Sequence, residues 1–307
     1  VLVRTAPFDG AVVERPPADV MVRFNEPVFP VFVRVVGMAG PVAVPEAPRA
    51  ENGEIRLRLP GALAEGGYLV SWRVVSADSH VIAGSFAFSI GEAAPSPPRP
   101  STENADASRD LAWRLTKIAL RLVQNLALFA AAGGMMFRLF VLRGALEVPR
   151  LDRVIAIAGV VALLAAFFSV GVEGGVVRPG PAAILLAVET WHFGWLTSIG
   201  TSALAMLIGL ALMAAGHLMR DRTIAIVGAI GATESLVLTG HSAVSSWAVQ
   251  IALMVHVTAG AYWLGSLWPL CVVLRSAPGA EAARIVERFS RIAVPAVALL
   301  VAAAVIV

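Results

Sequence analysis

Charged residues and cysteine are scarce in this sequence. Charged side chains make up 15% of the 307 residues and apolar ones 58%, and the mean hydropathy is +0.78. A typical soluble domain is about a quarter charged, so a wholly soluble protein is excluded and a membrane protein with a modest soluble part is indicated. The single cysteine, Cys271, excludes an intrachain disulfide, and its position within an apolar run favours packing over redox chemistry.

Motifs for nucleotide-driven transport are also absent. The sequence contains neither a Walker-type phosphate loop nor a phosphorylatable D-K-T-G segment, so neither an ATP-binding transporter nor a P-type pump is indicated. The net charge is only +3, and nearly all the cations are arginines in short loops between apolar runs rather than on one basic face. Nucleic-acid binding is therefore not expected, and no catalytic residue is assigned.

The first 91 residues alternate between apolar and polar positions. Val20, Val22 and Phe24 fall on one side of an extended segment, and the same alternation recurs in three later segments separated by Gly, Pro and Asn turns. Alternate residues of a strand point to the same face. Short alternating strands at regular spacing predict an antiparallel β-sandwich or barrel over 1–91.

An α-helical membrane bundle is predicted over 111–307. Residues 92–110, rich in Pro, Ser and Ala, predict an extended tether before it, and 181–195 predict an interfacial or re-entrant helix. Six longer apolar runs each have the roughly twenty residues that cross a bilayer. The six runs are 112–142, 153–172, 197–216, 223–241, 248–274 and 289–307. The last run reaches Val307, and the sequence leaves open whether further helices follow.

Arginine is concentrated in every second loop of the predicted bundle. The residues concerned are Arg143, Arg150, Arg153, Arg220, Arg222, Arg275, Arg284, Arg288 and Arg291. By the positive-inside rule these loops are cytoplasmic, which puts the first domain outside the membrane. A secretory signal is then expected to have been removed from that domain or left out, since none is visible in the sequence from Val1.

Asp78 and His80 stand in a polar turn between two strand-like segments. Because they are two residues apart in an extended segment, they share one face, and a carboxylate beside an imidazole suits a divalent transition metal. Glu26, at the end of a strand just before a proline, is the acidic candidate for a further ligand. The alternatives are a solvated surface turn and a solvated edge carboxylate.

Three segments of the first domain resemble the CopC family of periplasmic copper-binding proteins. They are TAPFDGAVV, VRFNEPV and GGYLVSWRVVSADSHVIAGSFAFSIG. The resemblance implies a cupredoxin-like or immunoglobulin-like fold in which Asp78 and His80 bind Cu(II), with Glu26 near the metal. It also implies a ligand from an N-terminal histidine just ahead of the segment that begins here at Val1, and that histidine is absent from this chain.

The second half of the chain resembles the CopD family. The resemblance is carried by W-R-x-x-K at 113–117 with Gly133 and Gly134, by TGHSA at 239–243 and by H-x-x-x-G-x-x-W-x-G at 256–265. A CopC–CopD fusion implies a multi-pass copper protein of the bacterial cytoplasmic membrane that imports copper, with its first domain in the periplasm. Copper ions and the lipid bilayer are the expected partners, and a periplasmic copper chaperone or a cuproenzyme is left open.

Ionisable residues within the predicted spans are candidate copper ligands, because a charge buried in a membrane is costly and marks a functional site by default. Glu234 and His241 are seven residues apart and are predicted to line one face of the fourth span. His256 lies about 13 Å below the outer end of the fifth span, and His192 stands beside Trp191. The alternatives are a helix cap for His241, a structural hydrogen bond for His256 and an interfacial anchor for His192.

The remaining polar and thioether side chains are interpreted mainly as structural. His217 is expected to contact lipid headgroups, Lys117 to meet lipid phosphates or the first domain, and Glu173 either to be solvated or to accept an incoming cation. The membrane methionines are mostly packing residues, although one along the path would suit Cu(I). In the first domain only Met21 and Met38 occur, unclustered, and no Cu(I) site is expected there.

Three other functions remain open at this point. A chaperone or sensor would deliver copper to a membrane cuproenzyme without transporting it. A haem-binding electron-transfer protein would need histidine pairs at matching depth on facing helices, and a structural anchor would need none of the membrane ligands. The oxidation state of copper in the membrane and the oligomeric state are not encoded visibly.

Overall fold

The computed structural model describes residues 1–76, 81–95, 97, 103–143, 148–177, 181–239 and 246–306, with the backbone alone at 81, 103–110 and 276. The chain divides into two compact units. The first comprises 1–112 with 176–181 and contains the β-strands, and the second comprises 113–175 with 182–307 and contains most of the helical residues.

Nine strands form the first unit. They are β1 (Leu2–Ala6), β2 (Ala11–Val13), β3 (Asp19–Phe24), β4 (Val28–Gly37), β5 (Gly40–Pro41), β6 (Arg49–Glu51), β7 (Glu54–Arg58), β8 (Gly66–Ser76) and β9 (Val81–Ile90). One sheet has the order β1-β3-β7-β6 and the other the order β2-β9-β8-β4-β5. All neighbours are antiparallel except β2 and β9, which run parallel.

The alternating side chains of both sheets meet in one core. Val20, Val22 and Phe24 are each at most 3% exposed, as the sequence pattern predicts. Phe24 of one sheet packs edge-on against Trp72 of the other, with ring centroids 5.1 Å apart. Two sheets that share a core in this way form a sandwich, which confirms the predicted class, with the parallel β2–β9 pair as a departure from a purely antiparallel arrangement.

Seven α-helices are described. They are α1 (Glu103–Phe137), α2 (Pro149–Val177), α3 (Val188–Trp195), α4 (Ser198–Leu218), α5 (Arg222–Glu234), α6 (Trp247–Ser276) and α7 (Gly279–Ile306). Among the described residues, five of these helices (α1, α2, α4, α6 and α7) are long and apolar enough to cross a membrane. A 3-10 turn at Ala182–Leu186 together with α3 forms the predicted extra helical segment. Helix α1 begins at Glu103, so the end of the predicted tether is helical.

The predicted fourth span, 223–241, is not one continuous helix. Helix α5 ends at Glu234 after 13 residues, and a 3-10 turn covers Ser235–Leu238. Thirteen α-helical residues rise about 20 Å and four 3-10 residues about 8 Å. Together the two pieces come close to the roughly 30 Å thickness of a hydrocarbon core. Helix α5 alone is too short to cross it.

Helix α1 ends in a π-helical turn over Arg138–Leu142. Carbonyl groups in this turn accept hydrogen bonds from arginines of later helices. The Arg222 Nη2 atom lies 2.5 Å from the carbonyl oxygen of Leu139, and the Arg288 Nη1 atom lies 3.4 Å from that of Val141. These bonds satisfy backbone groups that an irregular helix end leaves without an intrahelical partner.

Close backbone contacts at glycine hold the helices of the second unit together. A Cβ atom at Gly133 of α1 would lie 2.1 Å from the carbonyl oxygen of Ala261 on α6. One at Gly228 of α5 would lie 2.1 Å from the backbone nitrogen of Met213 on α4. Only glycine permits these approaches, and small residues at such crossings are what lets membrane helices pack.

The substitution Gly133→Ala is expected to destabilise the second unit by about 1–3 kcal/mol, the usual cost of overpacking. Thermal unfolding of the detergent-purified protein measures the effect. Gly231→Ala is the matched control, because its Cβ would find its nearest atom at 4.0 Å and should be tolerated. An unchanged unfolding temperature for Gly133→Ala would show that α1 and α6 do not depend on this contact.

Candidate functional site

The turn between β3 and β4 lies at the same edge of the sandwich as the end of β8 and the start of β9. Strand β4 begins at Val28, which pairs with Ser76, the last residue of β8. Strand β9 begins at Val81, which pairs with Val75. Glu26, two residues before Val28, therefore lies near the ends of both strands. Asp78 and His80 lie between those strands, in 77–80, outside the described residues.

The Glu26 side chain is 30% exposed and meets the start of the chain. Its Oε1 atom lies 3.3 Å from the amino nitrogen of Val1, which also donates a hydrogen bond to the Asn25 side chain. The Asn25 N–H in turn donates to the Val1 carbonyl oxygen at 3.1 Å. These contacts bring the segment ahead of β1 beside Glu26 at this edge of the sandwich.

Gly53 allows the Glu26 turn to approach β7. It has a φ of +78°, and a Cβ atom there would lie 2.7 Å from the carbonyl oxygen of Glu26. The carbonyl oxygen of Gly53 accepts a hydrogen bond from the Phe24 N–H at 2.7 Å. The asparagine–glycine turn noted in the sequence therefore fixes the backbone on which Glu26 is carried.

His256 is half-buried in α6 and faces α7. Its Nδ1 atom lies 3.0 Å from the carbonyl oxygen of Leu300. Helix α6 begins at Trp247 as predicted, so His256 lies about 13 Å along the helix. A ring whose Nδ1–H donates to a carbonyl group is held in one tautomer and leaves Nε2 for a metal or a proton. The expected structural hydrogen bond and the expected ligand role are compatible.

Glu234 contacts the side of α6 that carries Thr258, away from His256. Its Oε1 atom accepts a hydrogen bond from the Thr258 hydroxyl, and its Oε2 atom is buried without a hydrogen-bond partner in the described part of the chain. Thr258 follows His256 by two residues, which is about 200° around a helix. The contacts therefore place Glu234 and His256 on different faces of α6 rather than together.

The continuous α-helix from Glu234 to His241, on which the predicted shared face depends, is not present in the described part of that segment. Helix α5 stops at Glu234, a 3-10 turn follows, and Thr239 is extended with φ −116° and ψ 148°, so the two-turn spacing of an α-helix does not apply. His241 itself lies in 240–245, outside the described residues.

His192 is exposed on the short helix α3, and the structure does not bring it together with Glu234 or His256 through any described contact. Its neighbour Trp191 fixes the helix instead. The Trp191 indole N–H donates to the carbonyl oxygen of Leu185 at 2.8 Å, and its ring stacks on Phe167 with centroids 4.7 Å apart. The interpretation of His192 as an anchor at the interface remains compatible with this position.

A polar cavity of about 110 Å³ within the second unit was not expected from the sequence. Its polar lining residues are Arg121, Gln124, Asn125, Ser169, Ser202 and Thr239. The Ser202 hydroxyl donates to the carbonyl oxygen of Ser235 at 2.7 Å, in the 3-10 turn that interrupts the fourth span. The sequence signals were Arg121 and the adjacent amides Gln124 and Asn125, all within the predicted first span.

A buried ion pair joins α1 and α2 close to the polar cavity. Lys117 Nζ lies 2.6 Å from Glu173 Oε2, and the side chain of Glu173 is only 1% exposed. Glu173 is therefore not solvated, and Lys117 pairs within the protein rather than only with lipid. One turn further along α2, the Ser169 hydroxyl lies 3.4 Å from Gln124 Oε1, which links the ion pair to the cavity lining.

No cluster of three or more His, Cys, Asp or Glu side chains able to hold a metal ion occurs among the described residues. Asp78, His80 and His241 lie outside that part of the chain.

Comparison with known families divides the chain as the fold does. The family described as CopC domain matches residues 2–91. The family described as Copper resistance protein D-like, N-terminal domain, matches residues 110–250.

Two curated proteins are similar to this chain. "Copper transport protein CutJ" of Bacillus subtilis (strain 168) is 26% identical over 326 residues, covering 97% of this chain. The chain spans 59% of the length of that protein. "Copper resistance protein C" of Xanthomonas campestris pv. juglandis is 33% identical over 99 residues, which are 29% of this chain and 77% of that protein.

Two solved structures are similar over the first domain. CopC from Methylosinus trichosporium OB3b is 29% identical, with a TM-score of 0.27, over 29% of this chain and 90% of that one. PcoC, a methionine-rich copper resistance protein from Escherichia coli, is 27% identical, with a TM-score of 0.25, over 29% of this chain and 95% of that one.

Lys117→Met is expected to destabilise the protein by up to about 3 kcal/mol, because removing one partner leaves a buried charge unpaired. This expected loss is at the lower end of the range for broken buried ion pairs, because the Lys117 side chain is 29% exposed. The double variant Lys117→Met/Glu173→Gln should recover most of the loss. A double-mutant cycle of unfolding free energies measures the coupling, and strictly additive losses would contradict a direct pair.

Proposed function

Because the chain belongs to the CopC–CopD fusion family, we propose that it captures Cu(II) outside the cytoplasmic membrane and moves copper inward across it. The observation that carries the proposal is the strand register that brings Glu26 to the edge where β8 ends and β9 begins. The similar proteins are named for copper transport and copper resistance rather than for an enzyme activity.

The capture site uses Asp78, His80 and Glu26 as ligands of Cu(II). The ends of β8 and β9 flank Asp78 and His80 in sequence and lie beside the Glu26 turn, which supports a shared site. The contact of Val1 with Asn25 and Glu26, which brings the start of β1 to this edge, supports it further. A histidine ahead of Val1, as the family resemblance implies, would join the chain at this same edge.

The membrane path uses Glu234 and His256, with His241 and His192 as further ligands on the outer side. Glu234 stands where α5 is interrupted, and broken helices at the level of the membrane line binding sites in transport proteins. The polar cavity beside the 3-10 turn supports this path, because irregular backbone is tolerated in a membrane where it is buried in protein or lines a cavity.

The first domain faces the outside in this proposal, since the arginine-rich loops are cytoplasmic. In a Cys271→Ser background, an Ala50→Cys variant should react with a membrane-impermeant maleimide in intact cells, because Ala50 is exposed on β6. The matched variant Ala280→Cys, at the start of α7, should react only after lysis. The reverse labelling pattern would invert the orientation and overturn inward movement.

Copper capture is expected to limit accumulation. Cells with an Asp78→Ala/His80→Ala variant should lose most of the copper accumulation that depends on the protein, and Glu234→Gln/His256→Ala should do the same at matched expression. Glu14→Ala is the control, since Val13 pairs with Ile90 at the far end of β9. Elemental analysis of washed cells measures the outcome.

The same experiment separates the other candidate functions. Accumulation that never depends on the protein would contradict transport and leave delivery to a cuproenzyme, with the β-domain as a copper store. Loss with the β-domain variant but not with Glu234→Gln/His256→Ala would overturn the membrane path. A haem spectrum from the purified protein would instead indicate electron transfer.

A further inference from the structure

A second cavity, of about 390 Å³, lies among α1, α2 and α4 and is lined by metal-binding side chains that the proposed path does not use. Met135 of α1, Asp152 of α2, and Met213 and His217 of α4 contribute to its walls, and the other lining residues are apolar. The cavity lies beside the π-helical end of α1. Single π-helical turns occur frequently at functional sites.

One face of α4 connects this cavity with the polar cavity described above. Ser202 lines the polar cavity, Met206 follows four residues later, Met213 seven residues after that, and His217 four residues further. These spacings keep all four side chains on one side of an α-helix. Met206 is fully buried and Met213 is 4% exposed, so two thioethers lie inside the bundle between the polar cavity and the imidazole.

The charges around the second cavity favour a monovalent ion. Asp152 is neutralised by Arg138, whose Nη1 atom lies 2.7 Å from Asp152 Oδ1. The donors that remain are two thioethers and the His217 imidazole, for which no hydrogen bond to a ring nitrogen occurs among the described residues. Neutral sulfur and imidazole donors select Cu(I), whereas hard divalent ions need charged oxygen ligands.

We propose that Met135, Met213 and His217 form a Cu(I)-binding site at the arginine-rich end of the membrane domain. The site takes copper that is already Cu(I), and its binding is independent of the Cu(II) captured by the first domain. The proposal concerns binding alone and includes no electron transfer. It gives His217 a ligand role in place of the headgroup contact that the sequence suggests.

The test is Cu(I) binding to the purified full chain in an Asp78→Ala/His80→Ala background, which silences the capture site. Competition with a chromogenic Cu(I) chelator under anaerobic conditions gives the affinity, and X-ray absorption gives the sulfur ligands. Even outer-shell partners of metal sites cost about 10–100-fold in affinity when removed. Met135→Leu/Met213→Leu and His217→Gln are each expected to weaken binding by at least about tenfold.

Met219→Leu/Met254→Leu is the matched control, because these two methionines are 70% and 38% exposed and do not line the cavity. Leucine for methionine conserves volume and costs less than about 1.5 kcal/mol, so folding should be kept. Unchanged affinity and unchanged sulfur scattering in Met135→Leu/Met213→Leu would overturn the site. If that double variant unfolds, Met213→Leu and His217→Gln decide the question by the same two readouts.

The two proposals fail in different ways. If Cu(I) binding needs Met135, Met213 and His217 but cells accumulate no copper through the protein, the site stands and transport fails. If accumulation depends on Asp78 and His80 while the methionine variants bind Cu(I) normally, transport stands and this site is rejected.

Discussion

The membrane unit depends on helix backbones that touch at glycine. In lipid there is little hydrophobic drive to bring helices together, so packing of small residues must do it. Gly133 brings α1 against α6, and Gly228 brings α5 against α4. With these two pairs fixed, the polar side chains fall at the seam shared by α1, α2 and α4, where the cavities and the Lys117–Glu173 ion pair lie.

The interruption after Glu234 is stable because its freed backbone groups find partners. The Ser202 hydroxyl satisfies the carbonyl oxygen of Ser235, and Ser235 is itself 1% exposed. A backbone group without a partner in hydrocarbon would cost several kcal/mol. At this interruption one carboxylate oxygen of Glu234 is buried and has no hydrogen-bond partner among the described residues.

The sequence predicts the β-core well, because alternation records burial directly: Val20, Val22 and Phe24 are all buried. Composition also predicts five of the six proposed spans, since five described helices are long and apolar enough to cross a membrane. It does not predict the end of α5 at Glu234, since hydropathy is the same for a continuous and an interrupted helix. The sequence also could not predict the pairing of Val28 with Ser76 or the cavity around Gln124. Both arise from contacts between residues far apart in the chain.

Two arginines of the arginine-rich loops also have a structural role. Arg222 and Arg288 reach back to carbonyl groups of the π-helical turn, so these charged side chains complete the end of α1. A lysine would carry the same charge for insertion but lacks the rigid guanidinium fork. At these two positions the charge of a loop and the end of α1 depend on the same side chain, so the two properties cannot vary independently.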